Sequence, residues 1–144
     1  MENNKIKIEF LSYSENEYIA RGFVSVFAST FNPSVSWLSD VKTAVSEGVT
    51  NCIVHAYPNE IGKIILELEV NNNYLHINIY DFGVGIDNVN KAIEPFYTSK
   101  PNEERSGMGF TIMQSFMDDV KIESALNKGT SIFMCKKLLN SVEE

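Results

Sequence analysis

Glu47, Asn51 and His55 recur at four-residue steps. On a helix that spacing makes one polar row. An asparagine side-chain oxygen can ligand magnesium while phosphate oxygens fill other positions. A glutamate one turn earlier could accept a proton from an attacking hydroxyl. A helix flank with satisfied hydrogen bonds would use the same residue types. Further along, "DFGVG" (Asp81, Phe82, Gly83, Val84, Gly85) closes an alternating segment. A carboxylate at a strand end can accept a hydrogen bond from an exocyclic amine such as adenine's, and the glycines let the backbone approach a ligand or turn sharply. A plain Gly-rich turn is the other reading. "RSGMGF", residues 105–110, sets glycines at the start of a helical pattern. Free amide N–H groups and the helix dipole favour phosphate there. Arg105 beside them could pair with a terminal phosphate or stand in solvent. Thr130, in "GTSIF", follows a turn onto a strand, where β-propensity alone would place it.

The letters DFG also mark the magnesium-holding aspartate of eukaryotic-type protein kinases. No HRD precedes Asp81 here, and no Gly-rich loop with a strand lysine lies upstream. A chain of 144 residues is also too short for two lobes. Asp81 therefore belongs to some other site.

The elements that must position these residues follow from periodicity. "KIKIEF", residues 5–10, alternates as a strand. Ser14 and Glu17 are spaced as a capping box for a helix over 15–30, with Ile19, Phe23, Val26 and Phe27 on one face and Arg21 roughly opposite, toward solvent. "NPS" at 32–34 is a turn. A second helix over 36–56 carries Trp37, Val41, Val45, Val49, Cys52 and Ala56 in one apolar stripe, with the polar row on its flank, and Pro58 stops it. "GKIILELEV" and "YLHINIYD" alternate around "NNN", which predicts a hairpin with a polar turn. Residues 83–107 read as loop with a short helical piece over 89–93. "FYTSKPNEERSG" lacks apolar periodicity and is either a lid or a disordered loop. A third helix opens at "GMGF", and two strands, "VKIES" and "TSIFMCKK", flank the turn "NKG". Helices do not alternate strictly with strands. The expected fold is α+β, a two-layer sandwich with helices on one face of a mixed, mainly antiparallel sheet, in one domain spanning 1–144.

Composition narrows the function classes. Hydrophobic residues at 44% and charged residues at 22% indicate an ordinary globular chain. A net charge of −7 gives no electrostatic footprint for phosphate backbones, so direct nucleic-acid binding is not expected. Cys52 and Cys135 read as buried small hydrophobes of a reducing compartment, and no CxxC or His/Cys cluster suggests zinc. The N-terminus does not read as a signal peptide and no apolar run reaches membrane-span length, so a cytoplasmic protein is expected, with no membrane partner.

The motifs gain specificity from their order: E-x3-N-x3-H, DxGxG, a polar lid, GxG opening a helix, then GT. Over about 46–133 this resembles the Bergerat ATP-binding fold of gyrases, heat-shock chaperones, histidine kinases and mismatch-repair proteins. "EGVTNCIVHA" resembles its N box, "DFGVG" and "GMG" its two glycine boxes, and "EPFYTSKP" its lid, about 94–107. By that resemblance Asn51 binds Mg2+ and Asp81 reads the adenine amine of ATP or ADP, supported by Thr130. Gly83 and Gly85, the lid residue Thr98, and Ser106, Gly107, Met108 and Gly109 line the nucleotide. "VSEGVTN" and "ERSGMGFTIMQSFMDDV" narrow the likeness to the small anti-sigma factor serine kinases, above all the sporulation anti-sigma-F factors, across nearly the whole chain. The resemblance implies a homodimer that sequesters a sigma factor and phosphorylates a serine of an anti-anti-sigma factor. Glu47 is then the general base, Arg105 a phosphoryl-stabilising residue and Arg21 a partner contact. Cys52 stands where alanine is usual, and Ser99 where a lid threonine is usual. Two other functions fit parts of the pattern: a sigma-sequestering module without phosphotransfer, for which Glu47 has no use, and a histidine-kinase catalytic domain, although nothing upstream of Ser36 resembles a paired-helix phosphoacceptor.

Overall fold

The computed structural model describes residues 3–86, 89 and 109–139. The chain runs β1 (Asn4–Leu11), α1 (Glu15–Ser29), α2 (Val35–His55), β2 (Lys63–Asn71), β3 (Tyr74–Asp81), α3 (Gly109–Phe116), β4 (Asp119–Ala125) and β5 (Gly129–Lys137). The strands form one sheet in the order β1-β2-β3-β5-β4. All four pairings are antiparallel, so the mixed, mainly antiparallel sheet expected contains no parallel pair among the described residues.

The β2–β3 hairpin is the simplest element to derive. Asn72 and Asn73 take positive φ, 53° and 67°. That pair of left-handed residues matches the twist of an antiparallel ribbon, and asparagine tolerates it better than most side chains. The register then pairs Val70 with Leu75 and Ile64 with Asp81. Leu66, Leu68, Leu75, Ile77 and Ile79 are buried on the face toward the helices. Phe133 and Cys135 stand on the other face of β5. Cys135 is half-buried there, opposite His76 and Asp119, so the expectation of a buried small hydrophobe holds for Cys52 and not for Cys135.

Helix α2 is the spine. Ser34 caps it, its Oγ accepting from the Trp37 N–H at 3.0 Å. Trp37, Val41, Val45, Val49, Cys52 and Ala56 are all buried, as the stripe predicts. Gly48 lets the helix sit close to the sheet: a Cβ there would lie 2.6 Å from Ile79 Cδ1 and 3.6 Å from Met113 Sδ of α3. Trp37 Nε1 donates to the Lys137 carbonyl at 2.8 Å, which ties the start of α2 to the end of β5.

Helix α1 departs from its expected face. Ala20, Val24, Phe27 and Ala28 are buried, while Ile19 and Val26 are 59% and 71% exposed. Phe27 is buried and Phe23 packs on the core as expected, but the small Ala20 and Ala28 complete the inward face where Ile19 and Val26 were expected. The expected capping box does not form either. Ser14 is helical (φ −61°, ψ −31°) and makes no side-chain cap bond. Glu17, which should reach back to it, instead accepts from Ser46 Oγ on α2 and meets Arg21. The expected helical piece over 89–93 lies outside the described residues except for Val89.

Candidate nucleotide site

The alternation of β3 decides where Asp81 points. Leu75, Ile77 and Ile79 face the helices, so Asp81 does too, and it closes the strand 5% exposed. Its Oδ1 accepts from the Gly83 N–H at 3.0 Å and the Thr130 N–H at 3.2 Å. Cys52 on α2, 1% exposed, is electrostatically coupled to the same carboxylate. Burial pushes the Asp81 pKa above the ordinary carboxylate range, and the Gly83 and Thr130 N–H donors oppose that shift. Burial also raises the Cys52 thiol well above its usual value, and the Asp81 charge adds to it, so Cys52 stays a neutral thiol. Thr130 thus supports Asp81 through its main chain. Its hydroxyl pairs with Ser124 Oγ at 2.8 Å, and Ser124 in turn accepts from the Ile86 N–H at 2.7 Å.

Two glycines of DFGVG serve the protein's own backbone. A Cβ on Gly83 would stand 2.0 Å from the Ala56 carbonyl oxygen, at the end of α2. The next amide, Val84 N–H, donates to that oxygen at 2.8 Å. Gly85 has φ +76°, and a Cβ there would lie 2.0 Å from the Ala125 carbonyl oxygen. Gly129, in the turn before β5, has φ +88° and would drive a Cβ to 2.1 Å from the Asp81 carbonyl oxygen. The segment after Asp81 is therefore clamped between the end of α2 and the β4–β5 turn. Tyr57 closes the clamp: its Oη accepts from the Phe82 N–H at 2.8 Å and donates to the Lys63 carbonyl at 2.5 Å.

Glu47 marks the other end of the site. Its Oε2 lies 3.4 Å from where a Cβ on Gly109 would stand, so its carboxylate sits at the beginning of the described part of α3. From Glu47 to Cys52 is about 7.5 Å along the axis of α2. Asn51 and His55 lie half-buried on the same helix, one and two turns past Glu47. Among the described residues no group of three or more His, Cys, Asp or Glu side chains could hold a metal ion. A single amide oxygen beside phosphate oxygens suits magnesium, which takes few protein ligands. Glu47 also lines a cleft of about 480 Å³ between α1 and α2, together with Arg21, Leu38, Lys42, Thr43 and Ser46. Arg21 is not simply turned to solvent. Its Nε lies 3.7 Å from Glu17 Oε1 and its guanidinium stands 5.6 Å over the Tyr18 ring. Thr98, Arg105, Ser106, Gly107 and Met108 lie outside the described residues.

Asp81, fixed by main-chain donors beside the end of α2, and Glu47, beside the described start of α3, bound the candidate site. Residues 13–136 match the family described as histidine kinase-like ATPase domain. The anti-sigma F factor of Clostridium kluyveri is 49% identical over 142 residues, covering 99% of each chain, and that of Clostridium acetobutylicum is 50% identical over 137 residues, covering 95% of this chain and 96% of the relative. The chain belongs to the anti-sigma F factor family. It is an ATPase-type, nucleotide-binding member of the histidine kinase-like group. Solved structures agree on the fold. The RsbU and RsbW domains of Rv1364c from Mycobacterium tuberculosis superpose with a TM-score of 0.70 at 14% identity, over 94% of this chain and 32% of that one. The catalytic domain of histidine kinase ThkA gives 0.60 at 16% identity, over 92% and 96%.

The sequence set Glu47 and Asn51 on the second helix and Asp81 at a strand end, where the structure has them, but gave no part to Gly129 or Ser124. The "NKG" turn was a signal for Gly129, since asparagine and glycine are the residues that take positive φ there. Nothing in a single sequence pairs Cys52 with Asp81.

Proposed function

We propose that this protein is an anti-sigma factor and a serine kinase. It acts in the cytoplasm as a homodimer that holds a sporulation sigma factor inactive. With ATP as the phosphoryl donor it phosphorylates a serine on an anti-anti-sigma partner. The observation that carries this reading is the position of Glu47, which borders both the start of α3 and the open cleft beneath Arg21. A protein hydroxyl entering along that cleft meets Glu47 before it meets the nucleotide seat. Glu47 orients and deprotonates that hydroxyl. Asp81 accepts from the adenine amine, and the family pattern assigns residues 106–109 together with Arg105 to the phosphates. Asn51 supplies an oxygen ligand for Mg2+, which when bound neutralises phosphate charge. Arg21 and the exposed Tyr18 and Ile19 on α1 offer a mixed cationic and apolar surface to a protein partner.

The test is Glu47→Ala, assayed with ATP and a serine-bearing anti-anti-sigma protein. Phosphorylation should fall by about 10²–10⁴-fold while nucleotide affinity stays within a factor of two or so. Collapse of nucleotide affinity would make Glu47 a binding residue and remove its assigned role. Sequestration without phosphotransfer is the second reading, favoured by the exposed apolar face of α1. It predicts no phosphoserine product from the unmutated protein.

A further inference from the structure

Glu47 shares the cleft between α1 and α2 with other charged groups. Two rows of α2 line it: Leu38, Lys42 and Ser46, and beside them Ser39, Thr43 and Glu47. Four-residue steps keep each row on one side of the helix. From α1 comes Arg21. Arg21 lies 3.7 Å from Glu17, and Glu17 also accepts from Ser46 Oγ. That cation and that hydroxyl are therefore engaged within the protein. Lys42 differs. It is half-buried and lines the cleft, and its ammonium makes no ion pair or hydrogen bond among the described residues. It stands about 7.5 Å from Glu47 along the helix axis, toward the start of α2.

We propose that Lys42 is a specificity-determining residue for the protein substrate: its ammonium takes a carboxylate that the substrate carries close to its acceptor serine. The proposal rests on Glu47 being the base that meets that serine. An acidic side chain brought in with the hydroxyl meets the like charge of Glu47, which opposes docking. A cation between one and two turns away gives that side chain another place to lie, and the pair then fixes how the segment is laid along α2. The flexible four-carbon stem of lysine lets its point charge follow the carboxylate as the segment settles. A substrate with lysine or arginine at that place is repelled, so the cleft sorts serines by their neighbours.

The experiment is steady-state phosphorylation of the serine-bearing anti-anti-sigma protein by the full chain at saturating ATP, with ATP binding measured beside it by calorimetry. Lys42→Ala should raise KM for the protein substrate about three- to tenfold, and Lys42→Glu by more than about tenfold, with kcat within about a factor of two. Lys42→Arg, which keeps the charge, should stay close to the parent. Lysine in place of the substrate's acidic residue nearest its acceptor serine should raise KM for the parent and lower it for Lys42→Glu. ATP affinity should be the same in every variant. An unchanged KM in Lys42→Glu would make Lys42 a solvated surface residue and overturn the proposal. Loss of ATP affinity would also overturn it, because Lys42 would then serve the phosphates. If the unmutated protein yields no phosphoserine, the kinase reading fails and takes this proposal with it. A failure confined to Lys42 leaves phosphorylation intact, which tells the two apart.

Discussion

Asp81 holds a charge where burial disfavours one, and its behaviour with pH follows. Its pKa in the folded chain is raised, so the folded state binds a proton more readily than the unfolded state does. Its contribution to stability is therefore greatest below the ordinary carboxylate range and declines as pH rises through the raised pKa. Nucleotide binding runs the other way, because protonation removes the acceptor. Acidification should weaken ATP binding beginning above the ordinary carboxylate range, and titration calorimetry across pH checks it. Asp81→Asn keeps an acceptor for Gly83 and Thr130 but can turn a donor toward the base. It should weaken ATP about 10–100-fold with thermal stability unchanged or higher. Unchanged affinity would remove Asp81 from the adenine end. At this scale the legible residues were those whose polarity interrupts a pattern: Glu47, Asn51 and Asp81. Cys52 fits the apolar stripe, so its coupling to Asp81 was invisible in the sequence. Glu17 was misread for a related reason, because its spacing from Ser14 suits a cap and only the folded chain brings Ser46 within its reach.

Among the elements, α2 was legible in full because its stripe is continuous and long. Helix α1 was not. It carries two apolar faces, and which one turns inward depends on how closely it can approach α2, a property of Ala20 and Ala28 rather than of periodicity. Two glycines separate local from tertiary effects. Gly22 lies exposed in α1 with nothing within 4 Å of a new Cβ. Gly22→Ala should stabilise the fold by about 0.5–1 kcal/mol, the entropic cost of glycine in a helix. Gly129→Ala should destabilise it by at least about 1–3 kcal/mol from its positive φ alone, with the clash at the Asp81 carbonyl added. Urea unfolding of both variants provides the measurement. A Gly129→Ala chain as stable as the parent would mean that the clamp around Asp81 yields easily.

For the molecule as a whole, nucleotide binding should appear as stability. The proposed seat joins α2, β3 and the β4–β5 turn, so a ligand there bridges parts of the chain that separate on unfolding. ATP at a hundred times its dissociation constant should add about 2.7 kcal/mol, read as a rise in the thermal midpoint. The same excess over the unmutated protein's constant should give Asp81→Asn a smaller rise. The α+β class was legible from the order of strands and helices. The strand order β1-β2-β3-β5-β4 was not, because local alternation marks a strand without naming the neighbour on its second edge.

Trp37 is the only tryptophan in the chain, 1% exposed, edge-on to Phe31 at 5.6 Å and bonded to the end of β5. It lies about 15 Å along the helix axis from Glu47. The protein therefore carries one tryptophan fluorophore, excited apart from its six tyrosines, in a dry setting, and its emission reports whether the start of α2 is joined to the end of β5. The colour of that emission should shift to the red when α2 leaves the sheet and stay fixed when a nucleotide arrives, which makes folding observable without interference from the ligand.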